Sequence, residues 1–151
     1  MGAAELPLQN AADFCIRQSA DETIAIPQRW ADIYDTAAQT LSIMHAGVCI
    51  GTAKGKNLIP SQSLALSRLL SADAFPRVEV GYAEAVNYLR KEAVTLPEGT
   101  PRGFVVLTFG GVPIGFEKNI GNRANNLYPQ EWRIKSSHVP ETDCRPIIIK
   151  E

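Results

Sequence analysis

The stretch from Gly111 to Ile134, GVPIGFEKNIGNRANNLYPQEWRI, gathers amides, cations and aromatic rings into one turn-rich segment. Amide side chains can read the edges of nucleobases, cations can contact phosphates, and rings can stack on unpaired bases. Lys118, Asn119, Asn122, Arg123 and Asn126 are therefore candidate nucleic-acid contacts, and Tyr128 and Trp132 are candidate stacking rings. Lys54 and Lys56 stand at the matching point of an earlier, similar segment and extend the candidate basic edge. If Lys54, Lys56, Lys118 and Arg123 each neutralise one phosphate of a single strand, log affinity falls against log salt with a slope of about −3. The competing reading is a solvated turn whose Asn and Gly residues satisfy left-handed backbone positions, with Tyr128 and Trp132 packed rather than stacked on a base.

Other chemistry is poorly supplied. The chain contains no GxGxxG, GxxxxGK[ST], GxSxG or HExxH pattern. Gly110-Gly111 follows a strand-like run but leads into another strand rather than a helix, so no phosphate cradle at a helix N-terminus is expected. Cys15, Cys49 and Cys144 are far apart without CxxC spacing, and His45 with Cys49 and His138 with Glu141 are single pairs in turn-rich stretches rather than a full ligand set. Neither a disulfide framework nor a metal site is expected. Glu117 beside Lys118 reads as ordinary alternation of charge.

The elements that must position these residues come from a chain of 151 residues, 45% apolar, with a net charge of −1. That length allows one ordinary domain or two small modules sharing an interface. A near-neutral chain confines any nucleic-acid affinity to a local patch. No apolar run reaches membrane-spanning length, and MGAAELPLQN lacks the plan of a secretory signal, so a cytoplasmic protein without a membrane partner is expected.

Hydrophobic patterning predicts an α+β chain. Residues 1–20 are Ala-rich and read as a linker or leading segment. Thr23 to Ile26 reads as a strand and Gln28 to Ala38 as a helix, while Leu41 to Met44 and Val48 to Ala53 read as a hairpin about Ala46-Gly47. Ser61 caps a predicted helix through Leu69. The plan then restarts with a strand at Val78 to Val80, a helix over Ala83 to Lys91, and a loop at Leu96 to Pro101. Strands Gly103 to Phe109 and Val112 to Glu117 follow, joined at Gly110-Gly111, and the Ile-rich end of Pro140 to Glu151 is an edge strand or unstructured.

An internal echo supports two modules. GVCIGTAKGKNLIPSQ and GVPIGFEKNIGNRANNLYPQ share a Gly-Val-x-Ile-Gly-x-x-Lys start and an Asn-Leu-x-Pro end, the second with five extra residues between. The expected modules cover 21–75 and 76–136, with a tail over 137–151.

The segments FPRVEVGYAEAVNYLRKEAV and GFVVLTFGGVPIGFEKNIGNRANNLYPQEWRI resemble the C-terminal RNA-binding, PUA-like domain of bacterial RsmF-type rRNA cytosine-C5 methyltransferases of the Sun family. HAGVCIGTAKGKNLIPSQSLALS resembles the module that precedes that domain, and the two matches together span about residues 23 to 135. The resemblance implies that residues 76–136 form a PUA-like β pseudo-barrel with a flanking helix. It implies an RNA-binding role for Lys118, Asn122, Arg123 and Asn126, with Lys54 and Lys56 beside them. The family's catalytic domain uses S-adenosylmethionine and two cysteines in Pro-Cys and Thr-Cys contexts. Here the cysteines follow Phe14, Val48 and Asp143. The implied parent is an rRNA methyltransferase, and the implied role of this chain is to place rRNA for an N-terminal catalytic domain that carries both the cofactor and the chemistry. The alternative is a protein-interaction module that docks on the catalytic domain or a ribosomal protein without touching RNA.

Overall fold

A computed structural model describes residues 6–138. The chain alternates sheets and helices, as the α+β expectation requires, and builds two four-stranded sheets in sequence. In the first, β1 (Phe14–Ser19), β2 (Glu22–Pro27), β3 (Val48–Lys54) and β4 (Asn57–Pro60) pair antiparallel in chain order. A 3-10 turn (Gln28–Trp30) and helix α1 (Ala31–Ala38) connect β2 to β3. Helix α2 (Gln62–Leu66) follows β4, and the Ser61 hydroxyl caps it by accepting from the Leu64 N–H at 3.1 Å.

The second sheet begins with β5 (Arg77–Glu79), which pairs in parallel with β6 (Gly103–Phe109) through a crossover containing helix α3 (Tyr82–Leu89). Strand β7 (Val112–Asn119) returns antiparallel across Gly110-Gly111, and β8 (Ala124–Asn126) closes the row. Each half of the internal echo is thus a hairpin. Its extra residues in the second copy lengthen the β7–β8 turn.

Strand β6 explains how the halves are joined. Its continuous apolar run suits a strand buried on both faces, and alternation along it feeds two cores. Val106, with Phe116 of β7, packs with Leu8, Ala25, Ile50, Leu64, Ala65 and Leu70 of the first half. Val105 and Leu107 pack on the opposite face with Val78, Val80, Ala85, Tyr88 and Val94. Polar contacts tie the same seam: the Gln62 side-chain amide donates to the Ile114 carbonyl at 2.7 Å, and the Tyr88 hydroxyl donates to the Phe116 carbonyl at 3.0 Å. Gly115 lies between those two carbonyls, and a Cβ there would overlap the Tyr88 hydroxyl and crowd the Gln62 carbonyl oxygen.

Several expectations are corrected. Residues 6–20 are not a linker: Leu8 is buried and bridges Leu70, the Gln9 N–H donates to the Leu69 carbonyl, and β1 forms an edge of the first sheet. Leu41 to Met44 forms no strand, because β3 already has β2 and β4 on its two sides; the hairpin is β3–β4, and Leu41 and Met44 are exposed. The helix capped by Ser61 stops at Leu66, since Ser67 turns extended. The second sheet is open rather than closed into a pseudo-barrel, with β5 and β8 at its edges. The possible edge strand from Pro140 lies outside the described residues. Among the described residues no helix is long and apolar enough to cross a membrane.

Candidate nucleic-acid interface

The β7–β8 turn and the loop between α3 and β6 face each other across a groove of about 500 Å³. The register of β6 against β7 builds it: Phe109 opposite Val112 starts the ladder, a one-residue irregularity follows at Leu107/Thr108, and Gly103 ends opposite Asn119. Arg102 is thereby delivered beside the turn. On the turn's side, the Ile120 N–H donates to the Arg123 carbonyl at 3.0 Å, closing four residues that leave Asn122 and Arg123 exposed on the groove. On the loop's side, the Thr100 N–H and hydroxyl both donate to the Pro97 carbonyl.

Asn119 fastens the two walls together. Its side-chain NH₂ donates to the Thr100 and Pro101 carbonyls at 2.9 and 3.1 Å, and its side-chain oxygen accepts from the Gly121 N–H at 2.8 Å. Gly121, at φ 104°, adds a close approach, for Nη2, Nε and Cζ of Arg102 lie 2.7, 2.8 and 2.9 Å from where its Cβ would be. That position is nearer Nη2 and Nε than Cζ, so the guanidinium approaches the glycine along its Nε–Nη2 side. Arg102 and Arg123 thus contribute two cations to the groove and Glu98 one anion, and neither arginine forms an ion pair among the described residues.

The sequence candidates divide sharply. Asn122 and Arg123 are exposed on the groove, with no side-chain partner among the described residues. Asn119 is not an open contact, since it is buried and its amide is consumed by three backbone groups. Asn126 is also an internal brace: its NH₂ donates to the Tyr88 and Glu92 carbonyls at the end of α3, and its oxygen accepts from the Tyr128 N–H, all at 2.9 Å. Lys118 does not share an edge with Arg123, because strand alternation turns it to the face opposite Asn119, where its Nζ sits 5.3 Å from the centre of the Phe104 ring. Lys54 and Lys56 are exposed at the β3–β4 hairpin and do not line the groove. Tyr128 is half-buried edge-on to Tyr88 at 5.4 Å and to Trp132 at 6.5 Å, so its ring is spent on packing. Trp132 is 52% exposed and keeps open ring surface.

Arg102 and the loop before it were missed because Pro97, Gly99 and Pro101 mark a loop without indicating what it faces. The signal was available: counting back from Gly110-Gly111 brings the residue before β6 level with the end of β7. Glu117 departs from the surface charge expected of it. It is fully buried opposite Val105, both carboxylate oxygens lack a hydrogen-bond partner, and burial pushes its carboxyl up to about 7.

Cys49 and His45 line a small cavity with Glu22, but the thiol is pushed upward by burial and then by Glu22, and Sγ donates to the Gly51 carbonyl at 3.7 Å. A protonated thiol is a poor nucleophile. Cys144 lies outside the described residues. No group of three or more His, Cys, Asp or Glu residues suited to a metal ion occurs among the described residues.

Residues 75–134 match the sequence model of the methyltransferase RsmF PUA domain. The match contains β5 to β8, α3 and both walls of the groove. No curated protein sequence matches the chain.

Proposed function

We propose, with residues 75–134 as a PUA domain of the RsmF methyltransferase type, that this chain grips rRNA on behalf of an S-adenosylmethionine-dependent cytosine-C5 methyltransferase acting in the cytoplasm. The observation that carries the reading is the groove inside that domain, where Arg102 and Arg123 stand, without carboxylate partners among the described residues, beside the exposed amide of Asn122. Cations meet phosphates and amides meet base edges.

The chain's part in the reaction is placement. Holding RNA in the groove raises the effective concentration of a neighbouring cytosine at a catalytic site on another domain. The methyl donor is bound and the carbon–carbon bond formed on that other domain. Gly110-Gly111 joins two antiparallel strands, and the Gly111 N–H donates to the Glu79 carboxylate.

Fluorescence anisotropy with a structured rRNA fragment tests the reading. At about 50 mM salt the chain binds, and the double variant Arg102→Ala/Arg123→Ala weakens binding by about tenfold or more. No binding at low salt overturns the function; unchanged affinity in the variant overturns the site.

A second reading is favoured by the surface of the first half. Ile26, Pro27, Trp30, Ile33, Ala37 and Ile43 border an almost wholly apolar groove of about 490 Å³, and Trp30 and Ile33 are 50% and 61% exposed. Such a face suits docking on the catalytic domain or a ribosomal protein. Salt-insensitive association with the separately made catalytic domain, without RNA binding, selects this reading over the first.

A further inference from the structure

We propose that the groove between the α3–β6 loop and the β7–β8 turn takes one unpaired nucleotide of single-stranded RNA, with its base laid on the Arg102 guanidinium and its phosphate on Arg123. The inference rests on the RNA-binding reading and specifies which form of RNA the site accepts.

Shape is the first argument. A recess of about 500 Å³ walled by two loops is of a size that encloses a small ligand rather than a rod. An A-form duplex keeps its bases stacked inside and presents phosphates and 2′-hydroxyls over a broad surface, whereas an unstacked nucleotide can enter a recess.

The lining is the second. Val94, Leu96 and Pro97 supply apolar surface and Asn122 an exposed amide, yet among the described residues no aromatic ring borders the groove. A base there must find its planar partner elsewhere, and guanidinium planes serve that purpose in RNA recognition. Arg102 is prepared for it. The Nε–Nη2 side of its guanidinium lies close against Gly121, where only a glycine leaves room for it, while the side chain remains exposed. A lysine at this position would keep the charge but not the plane.

Charge is the third. With Arg102 under the base, Arg123 suits one phosphate, while Glu98 on the same groove opposes a second backbone.

The test compares a labelled single-stranded RNA of about ten nucleotides with the blunt duplex of the same sequence, by anisotropy at low salt. The single strand binds about tenfold tighter or more, as one stacked base warrants. Arg102→Ala removes most of that margin, and Arg102→Lys does not restore it, with melting temperatures of both variants matching the parent. Equal or tighter duplex binding overturns this inference while leaving the RNA-binding function standing, and so does full rescue by Arg102→Lys. Binding of neither RNA removes the function itself, and this inference with it.

Discussion

Asparagine is the residue on which reading by type alone fails here. Asn119, Asn122 and Asn126 share one chemistry, but two of them hold backbone and only Asn122 is left for a ligand. An amide caps a helix end or reads a base with the same donors and acceptor, so only long-range contacts distinguish the two uses. Asn126→Ala is therefore expected to act through folding: uncovering two carbonyls at the end of α3 lowers stability by about 1–3 kcal/mol, measured by denaturant melts. RNA affinity of the fraction that remains folded is unchanged.

Glu117 gives the sharpest residue-scale prediction. Its folded carboxyl titrates near 7, above its ordinary value of 4.5, because burial disfavours the charged form. The Tyr88 hydroxyl, which could have relieved it, donates to the Phe116 carbonyl instead. A raised folded value means the contribution to stability is fully present below about 4.5 and is lost as pH rises through about 7. Glu117→Gln removes that titration, so the decline in melting temperature between pH 5 and about 8 flattens relative to the parent. Equal slopes for the two proteins contradict the assignment.

Among elements, the best-forecast ones are those whose signals are local. The Gly110-Gly111 hairpin, the Ser61 cap and the α3 helix each follow from neighbouring residues. Strand β1 was hidden because the Ala-rich start dilutes the alternation of Phe14 and Ile16, and its placement depends on pairing with β2. The hairpin expected at Leu41 failed for a similar reason: β3 takes its partners from β2 and β4 instead. The groove shares this limit, since its second wall is joined to the first by strand register. Strand β7 also carries a prediction of its own. Gly115→Ala forces a methyl group into the Tyr88 hydroxyl and Gln62, and overpacking of this kind is expected to cost about 2–3 kcal/mol, visible as a lower denaturant midpoint.

At the scale of the whole molecule, the two halves share one cluster that includes Leu64, Ala65, Val106 and Phe116. A chain restricted to residues 75–134 uncovers the Val106 and Phe116 face, so it is expected to melt lower and associate more readily than the full chain, as sedimentation and thermal melts will show. The spread of cations makes a further whole-molecule prediction. Because Arg123 is the one groove cation proposed to meet a phosphate, Arg102 being taken up by the base, the salt slope for a short single strand should be about −0.7 rather than the −3 expected of four contacts. A slope near −3 would return Lys54, Lys56 and Lys118 to the interface.

The seam at Gly115 bears on measurement of distance. Because carbonyls on either side of this residue are held by Gln62 of α2 and Tyr88 of α3, the nucleotide groove and the apolar face around Trp30 belong to one calliper rather than to two hooks on a string. On the placement role proposed above, a calliper would select by separation, offering the cytosine at a set span from the gripped nucleotide. Loosening the seam would then blur which cytosine is modified before it weakens the grip.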